Sequence, residues 1–124
     1  MIHTQWINDN SGTTLNGYAI GSGVTIKGES LDFSRIEGAY NILLAITGTT
    51  TVTLETSVDG SAFFTPYNLV GTSLAPILTS NSNPTRWLTM NPADSSGAIA
   101  PYVRLSILAD SNCTVTSAAF IMIE

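Results

Sequence analysis

Few side chains in this sequence have the chemistry for catalysis or metal binding. There is one histidine, His3, and one cysteine, Cys113. A base in nucleophilic catalysis needs a nucleophile beside it and a third group to orient it, and His3 has no second histidine with which to share a metal. It reads as a residue of a terminal strand. Cys113 permits no intrachain disulfide and completes no Cys/His zinc pattern. Asn112-Cys113-Thr114 fits the N-glycosylation pattern, but no secretion signal accompanies it, so the match reads as chance. Gly21-Ser22-Gly23 would suit a phosphate loop only with a helix behind it. Val24-Thr25-Ile26 follows instead and is strand-like, which makes the glycines a bend. Asp32, Glu37, Glu55 and Asp59 show no spacing that argues for a paired-carboxylate cleft of the glycosidase kind. Asp9, Ser11 and Gly12 begin a calcium-loop pattern that lacks its remaining ligands. No catalytic residue, cofactor or metal is expected, and the chain is not expected to be an enzyme.

The elements that carry these residues read as strands. Hydrophobic residues make up 44% of the 124 positions and charged residues only 10%, which excludes disorder. Four Lys/Arg against nine Asp/Glu give a net charge of −5, so no basic stripe exists for nucleic acid. The apolar runs Ile42 to Ile46 and Ala118 to Ile123 are far shorter than the roughly 20 residues of a membrane span. Met1 to Trp6 has neither the cationic start nor the apolar core of a signal peptide, which points to synthesis in the cytoplasm.

No window repeats apolar residues at helical spacing, and Thr plus Ser make up about a quarter of the chain. Alternation of period two marks strands at 39–47, 50–57, 101–109 and 113–123. Weaker strands are expected at 3–7, 18–20, 23–27, 31–36, 62–65, 67–70, 75–79 and 85–90, with one helical turn after Pro92. Thr47-Gly48-Thr49 reads as a tight hairpin and Val58-Asp59-Gly60-Ser61 as another. In the last strand, Val115, Ala119, Ile121 and Ile123 are expected on one face. The fold class is all-β: one β-sandwich over 1–124, jelly-roll or immunoglobulin-like, with little or no helix.

Segments 42–46 and 118–123 are apolar on both faces, so a second row of side chains needs cover. Either a long loop lies over central strands, or the row is a subunit interface made by Leu43, Ala45, Phe120 and Met122.

Three segments together resemble a known group: Thr51 to Phe63 with its Ser-x-Asp-Gly turn, Ala100 to Ile107 with Pro101-Tyr102-Val103-Arg104, and Cys113 to Phe120. Their order resembles small β-sandwich virion proteins of tailed bacteriophages, especially capsid decoration (cement) proteins. The resemblance implies a non-enzymatic protein on the capsid surface of the virion, a homotrimer bridging subunits of the major capsid protein. It also implies an N-terminal arm at about residues 1–12, with Ile2, His3, Gln5 and Trp6 contacting the capsid. The alternative is a glycan-binding module of a tail fibre or adhesin, using exposed rings among Trp6, Trp87, Tyr67 and Tyr102.

Overall fold

The computed structural model describes residues 2–32, 40–64, 77–80, 85–90 and 101–123; the side chains of 40, 77–80, 85–90 and 123 lie outside that description. Among the described residues there are ten strands: β1 (Ile2–Trp6), β2 (Tyr18–Ile20), β3 (Thr25–Lys27), β4 (Leu31–Asp32), β5 (Tyr40–Thr47), β6 (Thr50–Ser57), β7 (Ile77–Ser80), β8 (Thr85–Met90), β9 (Tyr102–Ala109) and β10 (Cys113–Ile123). They form two antiparallel sheets. The first runs β1-β10-β5-β8, with β2 beside β1 on the same edge of β10. The second runs β3-β9-β6-β7, with β4 beside β3 on β9. No helix occurs among the described residues, and the chain is the all-β sandwich that the alternation predicts. The expected strand at 67–70 and the helical turn after Pro92 lie outside the described residues.

Period-two alternation becomes a two-sheet core. Ile42, Leu44 and Ile46 of β5 are buried, as are Val52 and Leu54 of β6 and Val103, Leu105 and Ile107 of β9. Ile7, Leu15 and Ile20 join the same cluster from the N-terminal segments. Burial of this apolar surface is the main force holding the layers together.

Three expectations are corrected. Thr47-Gly48-Thr49 does not close a hairpin, because β5 belongs to the first sheet and β6 to the second. The turn is a crossover between layers, and Asp110 to Asn112 makes the second crossover beside it, from β9 to β10. The two are tied together: the Asp110 N–H donates to the Thr49 carbonyl at 2.9 Å, and the Thr49 N–H donates to Ser111 Oγ at 3.1 Å. Gly48 has φ +96°, and a Cβ there would stand 2.7 Å from the Asn112 carbonyl oxygen, so close approach and backbone conformation both demand glycine.

The second correction concerns β10. Its pairing with β5 shifts between Val115 and Ser117, leaving Thr116 as an extra residue. Such a β-bulge inverts which face the following side chains take. Val115 points inward, but beyond the bulge the inward residues are Ala118, Phe120 and Met122. Val115 is therefore on the opposite face from Ala119 and Ile121, with which it was expected, and the side chain of Ile123 lies outside the described residues. Phe120, fully buried, and Met122, 6% exposed, are core residues rather than interface residues.

Third, residues 2–6 are not a free arm. β1 pairs along its whole length with β10, from Ile2↔Ile123 to Trp6↔Ala119.

Candidate binding face

The two outer faces differ in charge. In the second sheet, β3, β4, β6 and β9 each carry one charged residue: Lys27, Asp32, Glu55 and Arg104. Lys27 Nζ donates to both Glu55 oxygens at 3.1 Å and to Ser106 Oγ at 2.9 Å. Arg104 Nε donates to Glu55 Oε1 at 2.9 Å, and its guanidinium lies 4.1 Å over the Phe63 ring. Burial alone would raise the Glu55 carboxyl, but the two cations outweigh it and hold the carboxyl below its ordinary range. Both cations are tied to the Glu55 carboxylate within the sheet, so the cluster reads as structural.

The first sheet carries fewer charges. β1, β2, β5 and β10 contain no Lys, Arg, Asp or Glu, and β8 contains Arg86 alone, in register with Leu44. Register aligns their outward positions into rows. Trp6 stands opposite Ala119, Ala119 opposite Leu43, and Leu43 opposite Trp87. The next row sets Thr4, Ile121 and Asn41 side by side, and on the other flank Ser117 faces Ala45. Trp6 is 48% exposed and Ile2 is 74% exposed, while Leu43, Ala45 and Ile121 are half-buried. Ala119 is fully buried yet stands outside the core cluster, so it is covered on this outer side, between the Trp6 and Leu43 positions.

The structure thus joins residues that the sequence placed in separate sites. Leu43 and Ala45 share one face with Ile2 and Trp6, whereas Phe120 and Met122 leave for the core. His3 and Gln5 occupy the other face of β1, His3 exposed and Gln5 half-buried. Ile121 and Asn41 belong to the face and were not foreseen. Their signal was the apolar or neutral partner across the strand, hidden by the unrecognised bulge.

The remaining candidates have structural roles. Asp9 Oδ1 accepts from the Ser11 N–H at 2.9 Å, the Ser11 hydroxyl at 2.7 Å and the Thr13 N–H at 2.9 Å, and Asp9 Oδ2 accepts from the Tyr18 hydroxyl at 3.0 Å. These donors, Ser11 first, hold its carboxyl down at about 2. A carboxylate so occupied by donors shapes its own loop and has little left for a cation. Asp59 does the same for its turn, accepting from the Ser57 hydroxyl and the Ser61 and Ala62 N–H groups. Gly23 turns the chain at φ +81° and donates to the Ala109 carbonyl, which is the bend expected there. Asn112 Oδ1 accepts from the Ser22 N–H at 2.9 Å. Cys113 is 6% exposed, and burial pushes its thiol up, away from reactivity. Among the described residues no group of three or more His, Cys, Asp or Glu could hold a metal ion. Glu37 and Tyr67 lie outside the described residues.

No family model matches the sequence, and no curated protein matches it. Among solved structures the chain is similar to a chain of the T13 IBDV viral particle, a structure described as a missing link in the evolution of icosahedral viruses. The TM-score is 0.55 at 12% identity, over 100% of this chain but 31% of that one. This chain therefore has the fold of a β-sandwich found in a viral particle and spans under a third of that neighbour's length.

Proposed function

We propose that this protein is a non-enzymatic structural component of a virus particle, of the capsid decoration kind, seated on the outside of the shell through the uncharged face of its first sheet. The observation that carries the reading is the full-length likeness to a chain of an icosahedral viral particle. The face supports it, because the buried centre of a protein interface is depleted in charge and enriched in aromatic residues such as Trp6. Binding only the assembled shell would stabilise it by RT ln(1 + [L]/Kd) per site. The partner is the major capsid protein of that shell.

The homotrimer is what the resemblance implies, and of the four residues expected at its interface, Phe120 and Met122 are core. Leu43 and Ala45 alone give it little support, and a trimer is not carried forward.

The test is made on particles purified from the source of this sequence. Mass spectrometry should find the chain in fixed proportion to the main shell protein, and gold-labelled antibody should mark the outer surface. Stripping it should leave an intact shell with a lower disruption temperature. Absence from purified particles overturns the reading. Trp6, 48% exposed on the same face as Thr4, favours one second reading, a glycan platform. Quenching of Trp fluorescence by oligosaccharides, lost in Trp6→Ala, would establish that reading instead.

A further inference from the structure

We propose that β1 is a self-pairing edge strand, through which two copies of this chain join their first sheets across a two-fold axis into one continuous ten-stranded sheet. The inference does not rest on the virion reading, since it concerns only what β1 itself presents.

β1 ends the strand order of its sheet, with β10 on one side and, among the described residues, no strand paired on the other. The Ile7 N–H donates to the Ala118 carbonyl at 3.0 Å. Hydrogen-bonding direction alternates along a strand, so Gln5 and His3 also turn their backbone groups toward β10. The N–H and C=O groups of Ile2, Thr4 and Trp6 therefore point away from the sheet. The Gln5 side-chain amide reaching the Trp6 carbonyl at 3.4 Å fits that direction.

Edges of this kind are normally protected by a lysine, a proline or a bulge. The sequence Ile2-His3-Thr4-Gln5-Trp6 has no Lys or Pro, and its register with β10 runs without interruption.

The strand is also complementary to itself. Antiparallel pairing centred on Thr4 sets Thr4 opposite Thr4 of the partner subunit, and Ile2 opposite Trp6 of the partner subunit. Thr–Thr and aromatic–β-branched pairs are among the favourable cross-strand neighbours. All three outward-facing pairs would exchange main-chain hydrogen bonds. A chain of net charge −5 meets its copy here without bringing acidic groups together, because β1 has none. An isologous contact of this sort closes at two copies.

Light scattering on a sizing column should give about twice 13.1 kDa for the unmodified chain. Thr4→Pro should halve that mass. Its N–H serves no bond within the sheet, so proline is tolerated there while blocking the partner. Thr4→Lys should act likewise, by setting like charges opposite each other. A variant that does not weaken the edge supplies the direct reading. In a Cys113→Ala background, Thr4→Cys should oxidise to a covalent dimer, because facing residues of a hydrogen-bonded pair have Cα atoms about 5.5 Å apart, within disulfide range. A monomeric or trimeric unmodified chain overturns the proposal, as does a Thr4→Cys chain that stays monomeric under oxidation. Self-pairing without particle association would leave this proposal standing and remove the virion reading.

Discussion

At the scale of single residues, burial and hydrogen bonding decide which positions matter to the fold and which are free for a surface. Phe120 fills the core at full burial, whereas Leu43, one strand away, is half-buried on the outside. Phe120→Ala should cost about 3–5 kcal/mol in chemical denaturation. Leu43→Ala should cost roughly 1 kcal/mol, since less apolar area is lost. Thr50 runs the other way. Its hydroxyl is fully buried and, among the described side chains, has no hydrogen-bond partner. Thr50→Val should raise stability by about 1 kcal/mol, because it removes a desolvated hydroxyl that returns nothing. Asp9 adds a dependence on pH. Its folded pKa of about 2 lies below the ordinary 3.8, so the fold favours the charged form. That stabilisation is complete above the ordinary value and is lost as pH falls from 3.8 toward 2. Asp9→Asn should lower stability at neutral pH and flatten the acid limb of the thermal-melting profile. Glu55 and Asp59, also depressed, keep some of the slope in that variant.

At the scale of elements, β10 shows both what a sequence reveals and what it conceals. Its limits, like those of β2, β6 and β8, were legible because alternating apolar residues end at Gly, Pro, Asp or Asn turns. The facing of its second half was not. A bulge adds one residue, and nothing in Thr114-Val115-Thr116-Ser117 distinguishes an extra residue from a regular one. The reason becomes visible only in the assembled sheet. Beside the bulge, β10 changes neighbour from β2 to β1, and the Ala118 N–H goes to Asn16 Oδ1 at 3.2 Å. The β5–β6 turn was concealed for a similar reason: a Gly turn looks the same whether its strands pair or part into two layers. The facing error is also why two of the four interface residues were misplaced. Single deletions test the register directly. Removing Thr116 restores regular pairing and keeps Phe120 inside, so the variant should fold with a loss below about 2 kcal/mol. Removing Ile121 instead leaves either Phe120 or Met122 on the outer face, whether or not the bulge absorbs the change, because a one-residue slip exchanges the faces, and that variant should melt below the Thr116 deletion.

At the scale of the whole molecule, the two sheets differ in how they carry charge: four strands of the second hold one charged residue each, and in the first only β8 holds one, Arg86. The Lys27–Glu55–Arg104 cluster ties three strands of the second sheet together through ion pairs made within the sheet. The first sheet has no charged side chain on β1, β2, β5 or β10, so any partner that seats there is held by apolar contact and by main-chain pairing at the edge. Exposed charge pairs weaken as salt shortens the screening length, from about 30 Å at 0.01 M to about 3 Å at 1 M. Apolar burial does not weaken in this way, and excluded salts strengthen it. Attachment to shells, measured by co-sedimentation, should therefore persist between about 0.05 and 1 M NaCl. It should fall at least about tenfold in Trp6→Ser, a loss of about 1.4 kcal/mol, and hold within twofold in Arg104→Gln, which alters only the second sheet. The reverse pattern, loss in high salt and indifference to Trp6, would place the contact on the charged sheet and take the first sheet out of the binding role.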